Sequence, residues 1–255
     1  MLKKNIIYNG DCFDLMKQID DGSVDLVLCD PPYGVSESEW DSLINEKILF
    51  NEYRRILTST GTVVLTVTFP FGTNFICNNK DLFKYDLVWK KNKITDFANA
   101  KNKFMRGHEN ILVFSKGTTA NGSNRKMIYN PQGLIKKDIV KVNSRKKKSN
   151  IGIRENYNGN VYVQEFTNYP NTILDFKSET NAIHPTQKPL DLFEFLIKTY
   201  TNDNGLVLDN CAGSFTTAIA AENTKRNWIC IEKEQHYCIL GEHRVMENRK
   251  RNAGI

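Results

Sequence analysis

Three short, mostly apolar runs, each closed by an acidic residue, constrain the fold of this chain more than any other feature. They span residues 24–29, 206–208 and 228–231, and Asp30, Asp209 and Glu232 follow them directly. Such runs are typical of strands buried in a sheet, and segments of helical periodicity lie between them. The pattern predicts a doubly wound, mostly parallel α/β sheet, in which ligands bind at the carboxyl ends of the strands.

The remaining periodicity places further elements around these strands. A helix is expected over residues 43–57, with Gly61 as its stop signal. Further strands are expected at 62–68, 86–89 and 111–114, and further helices at 189–204, 216–222 and from 235 onward. In the last helix, Ile239, Leu240 and Val245 are expected to face inward.

The composition excludes several classes of protein. Of the 255 residues, 40% are hydrophobic and 25% charged, which argues against disordered, collagen-like and coiled-coil chains. The apolar stretches are too short to cross a bilayer and no signal peptide is recognised, so a cytoplasmic protein without a membrane partner is expected. Six scattered cysteines without a C-x-x-C pair predict buried free thiols and no metal.

Basic residues concentrate in the middle of the chain. Residues 84–160 carry 18 lysines and arginines against five acidic residues, whereas the whole chain has a net charge of only +6. This distribution favours contact with a nucleic acid, although a solvated loop stays an alternative for the densest run. Residues 115–160 are expected to form a mobile excursion that orders on a polyanion rather than a packed element. The candidate DNA contacts are Lys101, Lys103, Arg106, Arg125, Lys126, Arg145, Lys146, Lys147, Lys148 and Arg154.

A small-residue loop follows the second acidic strand end. Ala212, Gly213 and Ser214 would let the backbone approach a ligand at a helix N-terminus, and Glu232 stands where a ribose-binding acid is expected. Phe215 occupies a position where a dinucleotide loop would need glycine. The loop therefore favours S-adenosylmethionine, which has no phosphate, over a dinucleotide.

The first acidic strand end begins a second motif, Asp30, Pro31, Pro32 and Tyr33. The two prolines fix the chain and remove backbone donors, so that their carbonyls stay free to accept hydrogen bonds. A carboxylate, a carbonyl and an aromatic ring together predict a receptor for the exocyclic amine of a planar base. A rigid turn with a buried tyrosine is the alternative interpretation of these four residues.

These motifs resemble those of the β-class DNA amino-methyltransferases, which modify adenine N6 or cytosine N4. The resemblance rests on D-P-P-Y at 30–33, G-D at 10–11, H-E-N-I-L-V-F at 108–114, H-P-T-Q-K-P at 184–189 and D-N-C-A-G-S-F-T-T at 209–217. It departs at Asn210, Cys211 and Phe215, which replace Pro, Phe and Gly of the family pattern.

The resemblance implies a Rossmann-like methyltransferase domain over residues 1–255, with a target-recognition insert over about 115–180. It implies Asp30, Pro31, Pro32 and Tyr33 as catalytic residues and S-adenosylmethionine as cofactor, with no metal. The implied cofactor-binding residues are Asp11, Cys12, Asp30, His184, Thr186, Lys188, Asp209, Ala212, Gly213, Ser214, Thr216, Thr217 and Glu232.

The implied reaction is methylation of the N6 amine of a flipped adenine in duplex DNA, because cytosine-N4 members more often carry serine where Asp30 stands. A cytosine-N4 enzyme and a non-catalytic DNA-binding relative, with cofactor binding abolished by Phe215, are the alternatives. Methylation of RNA or of a protein glutamine is a third. A homodimer and a cognate restriction enzyme are partners that the resemblance leaves open.

Overall fold

The computed structural model describes residues 2–32, 44–142, 161–180 and 187–254. The strands are β1 (Ile6–Asn9), β2 (Val24–Cys29), β3 (Leu57–Val67), β4 (Phe83–Thr95), β5 (Arg106–Ser115), β6 (Ile135–Val142), β7 (Val161–Thr167), β8 (Ile173–Asp175), β9 (Leu206–Asp209) and β10 (Asn227–Glu232). The helices are α1 (Cys12–Met16), α2 (Glu46–Ile56), α3 (Phe71–Asn78), α4 (Leu190–Tyr200), α5 (Thr216–Asn223) and α6 (Gln235–Ala253).

Eight strands form one twisted sheet in the order β1-β10-β9-β2-β3-β5-β4-β8. The first five of these run parallel to one another, whereas β5 runs antiparallel to both of its neighbours. Helices α1, α2 and α3 bury apolar residues on one face of the sheet, and α4, α5 and α6 do so on the other. The predicted doubly wound, mostly parallel α/β fold is confirmed.

Helix α2 ends earlier than its periodicity predicted, and Gly61 is not its stop signal. Leu57 is already extended, pairs with Val24 of β2 and begins β3, so Gly61 lies inside a strand. The β-branched run that follows favours extended backbone and competes successfully with the helical spacing. A Cβ at Gly61 would lie 2.9 Å from Leu57 Cδ2 and 3.1 Å from the Thr58 backbone nitrogen, so a side chain there would have to displace its neighbours.

Helix α6 presents a different face from the predicted one. Val245 is buried as expected, but Ile239 and Leu240 are exposed, and Cys238 and Gly241 take the inward positions. The orientation of α6 is set by a residue outside the helix. The ring of Phe215 packs directly against Gly241, where there is no side chain. Helix α6 therefore has Gly241 on the face that packs toward the sheet.

Several other expectations need correction. Strands β4 and β5 extend well beyond 86–89 and 111–114, so most of the basic loop expected between them is strand. Helix α4 ends at Tyr200, with Thr201 rather than Gly205 at its end. All six cysteines are free, but only Cys29, Cys230 and Cys238 are buried, whereas Cys12 and Cys211 are half-buried and Cys77 is exposed.

Residues Pro131–Asn171 form a compact unit separate from the remainder of the described chain. Within this unit β6 and β7 pair as an antiparallel ribbon. The expectation that residues 115–160 lack packed elements is therefore wrong for β6, which pairs with β7 just beyond that range, and the β-branched residues of both strands favour this pairing. No helix among the described residues has the length and hydrophobicity that a bilayer span needs.

Candidate active site

The carboxyl ends of four neighbouring parallel strands bring most of the predicted catalytic and cofactor-binding residues that the structure describes to one edge of the sheet. Strands β1, β10, β9 and β2 lie side by side in that order and end at Asn9, Glu232, Asp209 and Cys29. The backbone N–H of Gly10 donates to the Glu232 carbonyl (3.0 Å), which joins the first two of these ends. We call this region the carboxyl edge.

Asp30 follows β2 at the carboxyl edge, and Thr66 and Lys188 both donate hydrogen bonds to it. The Thr66 hydroxyl donates to Oδ1 (2.5 Å), and the Lys188 ammonium donates to Oδ2 (2.5 Å). The Asp30 side chain retains 17% of its exposure, whereas that of Lys188 retains 7%.

Lys188 belongs to a chain of alternating charges. Its Nζ lies 3.6 Å from Glu109 Oε2, and Lys91 Nζ lies 2.7 Å from Glu109 Oε1. Burial lowers the pKa of Lys188, but attraction by Asp30 and Glu109 outweighs it and leaves that pKa raised. Lys188 is therefore a buried cation at neutral pH. Its ammonium contacts the proposed catalytic carboxylate, and its predicted contact with a cofactor stays a prediction.

Thr66, Glu109 and Lys91 are site residues that sequence reasoning missed. The register of β2 with β3 places Cys29 opposite Leu65, so Thr66 is the strand residue level with Asp30. Glu109 lies within a stretch that resembles the family pattern, although no role was attached to its carboxylate. The signal that could have identified Glu109 as a site residue was its position on β5, which lies beside β3, the strand that carries Thr66.

Glu232 fixes the loop that follows β9. Its carboxylate accepts from the backbone N–H of Gly213 (2.8 Å) and from that of Glu234 (2.9 Å). Gly213 has a φ of +48°, a conformation that suits glycine. The side chains of Ser214 and Thr216 are hydrogen-bonded to each other at 3.1 Å. The Gly213 N–H of this loop therefore already points at a carboxylate.

Asp209 also holds this loop, through two hydrogen bonds to its residues. It accepts from the Thr217 hydroxyl (2.5 Å) and from the Cys211 N–H (3.1 Å), and it is almost completely buried. Burial raises the pKa of Asp209 to about 7, and the nearby carboxylates of Asp30 and Glu232 add to that effect, while the two hydrogen bonds oppose it. Its carboxylate oxygens therefore serve the loop itself.

Phe215 does not enter the carboxyl edge. It adopts a left-handed conformation (φ +59°), as the glycine of the family pattern could, but its ring is fully buried among the residues of α4, α5 and α6. A Cβ added to Gly241 would clash with that ring. The substitution is thus absorbed by the core, with glycine on α6 in compensation.

Asp11 and Cys12 follow β1 at the same edge. The Asp11 carboxylate is exposed and accepts from the Phe13 N–H (2.8 Å), which caps α1. Cys12 is half-buried, and its contact with Cys211, together with burial, raises the pKa of its thiol. Cys12 is therefore a neutral thiol at physiological pH.

The remaining predicted residues lie in different parts of the structure or outside the described residues. Pro31 is buried and Pro32 half-buried next to Asp30, and Ala212 is buried in the loop after β9. Lys101, Lys103 and Arg106 lie where β4 and β5 turn, beyond the carboxyl edge. Tyr33, His184, Thr186, Arg145, Lys146, Lys147, Lys148 and Arg154 lie outside the described residues.

Arg125 and Lys126 are placed at the opposite edge of the sheet. They follow β5, whose antiparallel direction carries the chain away from Asp30, and the Arg125 carbonyl accepts from the Thr118 N–H (2.9 Å). Arg125 also lies near enough to Lys84, at the start of β4, to repel it. The structure therefore does not bring these two residues together with Lys101, Lys103 and Arg106.

Comparison with known proteins gives consistent results. A family model described as DNA methylase matches residues 24–242. The Type II methyltransferase M1.MboII of Moraxella bovis is 33% identical over 93% of this chain and 95% of its own length, and the DNA adenine methyltransferase YhdJ of Escherichia coli (strain K12) is 27% identical over 94% and 82%. The solved complex of M1.HpyAVI with S-adenosylmethionine superposes with a TM-score of 0.63 at 25% identity, covering 93% of this chain and 98% of the other.

Proposed function

This chain belongs to the DNA methylase family, and on that premise we propose that it transfers a methyl group from S-adenosylmethionine to the N6 amine of an adenine in duplex DNA. The observation that carries the proposal is the Asp30 carboxylate at the carboxyl edge, which is held at the end of β2 by Thr66 and Lys188. A primary amine on a planar base is the kind of donor that such a carboxylate binds.

The residues of the carboxyl edge fit S-adenosylmethionine. Glu232 and Asp11 offer carboxylates that can accept from ribose hydroxyls or the adenine amine, and the loop 209–217 contains no lysine or arginine for a phosphate. The Gly213 N–H, which a pyrophosphate would need, is already bonded to Glu232. The acidic character of the edge also suits a sulfonium cation. Bound there, S-adenosylmethionine supplies an electrophilic methyl group. Asp209 would act by holding this loop in place.

The chain's own contribution to the reaction is positioning and charge. Asp30 accepts a hydrogen from the amine, and the Pro31 carbonyl accepts the second, which draws the nitrogen out of conjugation with the ring. Thr66 and Lys188 fix both oxygens of Asp30, so the acceptor needs no reorientation during the transfer. The proton that the amine loses is received at an Asp30 oxygen. Tyr33 is proposed to stack on the base.

Adenine is proposed over cytosine because residue 30 is Asp and because YhdJ, which aligns with most of this chain, is named a DNA adenine methyltransferase. Either base must leave the duplex to reach Asp30, since an amine inside a base pair is inaccessible. Cytosine N4 is the second candidate, because its amine offers the same two hydrogens to the same acceptors.

Mass spectrometry of nucleosides tests this proposal. The protein is incubated with unmethylated phage DNA and methyl-labelled S-adenosylmethionine, and the DNA is digested to nucleosides. Label in N6-methyladenine is the expected result, label in N4-methylcytosine would select the second candidate, and absence of label from both bases would contradict the proposal. Competition by RNA in the same assay separates a DNA enzyme from an RNA enzyme.

A further inference from the structure

Two strands extend far beyond the carboxyl edge and form a tip. Thr66, which bonds to Asp30, pairs with Ile111 of β5, and β5 begins five residues earlier at Arg106. Since β5 rises about 3.3 Å per residue, its pairing with β4 at Thr95 lies roughly 16 Å beyond the level of the proposed catalytic carboxylate. We call residues 90–106 the β4–β5 arm.

The turn of the β4–β5 arm is a built structure. Asp96 adopts a left-handed conformation (φ +72°) before the short 3₁₀ helix Phe97–Asn99. The Asp96 carboxylate accepts from Asn99 Nδ2 (2.6 Å) and pairs with Lys103 Nζ (2.7 Å). These contacts hold the backbone of the turn in one conformation. The side chains of the turn therefore project from a fixed backbone.

Large apolar side chains project from this turn into solvent. Phe104 is 98% exposed and Phe97 is 82% exposed, values expected of charged rather than aromatic residues. Ile94 and Met105 beside them are exposed as well. Aromatic rings of this kind are not needed for the fold, because they bury almost no area against it.

The charge of the arm identifies what these rings contact. Residues 90–106 contain six basic residues and one acidic residue, a net charge of +5 within one ribbon. A polyanion is the complementary partner, and an arm of about 16 Å is longer than the major groove of B-DNA is deep, about 8.5 Å. Exposed phenylalanines on a cationic arm match the apolar wedges that proteins insert between base steps.

We infer that Phe97 and Phe104 of the β4–β5 arm enter the base stack of duplex DNA beside the target base and occupy the space that it leaves on flipping. This inference rests on the proposed function, since it needs a flipped base at Asp30. It makes the two rings positioning residues that hold the extrahelical state open while Lys101 and Arg106 contact phosphates.

The test compares two duplexes that carry the methylation site mapped in treated phage DNA. One duplex is fully paired, and the other has an abasic residue opposite the target base, so that flipping is easy without a wedge. Single-turnover methyl incorporation is measured for the wild type and for Phe97→Ala/Phe104→Ala. We expect the double variant to be slower by roughly tenfold or more on the paired duplex and by no more than about twofold on the abasic one.

Two further variants separate a wedge from a general effect. Phe104→Trp in the Phe97→Ala background should restore the rate on paired DNA, because indole also stacks, whereas Ile239→Ala, an exposed apolar residue of α6, should change neither rate. An unchanged double variant, or an equally large rate reduction on both duplexes, would overturn the inference. A wild type that methylates neither duplex would instead overturn the proposed function on which the inference rests.

Discussion

The Lys188 ammonium lies 2.5 Å from the Asp30 carboxylate, although 158 positions of sequence separate the two residues. Lys188 is buried and Asp30 half-buried, and Glu109 with Lys91 continues the pair as an alternating chain of charges. A buried charge without its partner is costly, so each member of this chain constrains the next. The carboxylate proposed to receive the target amine is thus oriented by residues from three separate regions of the sequence.

Thr66→Val should lower the methylation rate by about tenfold, because it removes a donor that orients Asp30 while keeping shape and burial. The matched control is Thr62→Val. Thr62 is fully buried on the same strand, and its hydroxyl has no hydrogen-bond partner among the described residues. Steady-state kinetics should show a reduced kcat for the first variant only, and an equal effect of both would remove Thr66 from the site.

Asp209→Asn should change how stability depends on pH. Burial raises the pKa of Asp209 from 3.8 to about 7, so the folded state holds a proton that the unfolded state releases above its own pKa. The stabilisation from this proton is complete below pH 4 and disappears as the pH rises through 7, at most roughly 4 kcal/mol.

The Asn variant does not undergo this pH-dependent destabilisation and can still bond to Thr217 and to the Cys211 N–H. Urea unfolding at pH 5 and pH 8 should therefore show the variant gaining stability relative to the wild type at the higher pH. Asp20→Asn, at an exposed position, is the control. A constant difference between variant and wild type at both pH values would contradict the assignment.

Gly241→Ala should destabilise the fold by about 1–3 kcal/mol, because its methyl group would overlap the Phe215 ring. Phe215→Gly should also destabilise, since it empties a fully buried position, although it relieves a left-handed conformation. In the double variant the clash no longer exists. Its free energy of unfolding should exceed the additive expectation by at least about 1 kcal/mol, and strict additivity would show that the two positions do not interact.

Lys101→Ala and Arg106→Ala should each reduce the salt dependence of DNA binding, because both residues lie on the cationic β4–β5 arm. The slope of log affinity against log salt should fall by about one for each phosphate that the variant no longer neutralises. Arg125→Ala, at the opposite edge of the sheet, should leave the slope unchanged. Fluorescence anisotropy with a labelled duplex at several salt concentrations measures this slope. An equal change in all three variants would mean that the position of a charge on the protein does not determine its contribution to DNA binding.

The sequence was sufficient for those parts of the site that lie within single strand-to-loop junctions. Asp30, Asp209 and Glu232 each end a short buried strand, and the parallel sheet brings such ends together without further information. The fold class followed from the same alternation of strands and helices.

Contacts between distant segments could not be predicted in that way. The pairing of Thr66 with Asp30 depends on the register of β2 with β3, and the Lys188–Asp30 pair depends on how two separate loops meet. The inward face of α6 depends on Phe215, and the end of α2 at Leu57 depends on the strand that follows it. In each case tertiary packing overrode a local signal.

The central claim is that Asp30 binds the amine that receives the methyl group, and Asp30→Ala tests it most directly. The measurement is single-turnover methylation at saturating S-adenosylmethionine and DNA, with DNA affinity determined in parallel. We predict that the rate falls by about 10²–10³-fold while the protein still binds duplex DNA, because the acceptor for the amine is removed. A variant that methylates DNA within a few-fold of the wild-type rate would contradict the account.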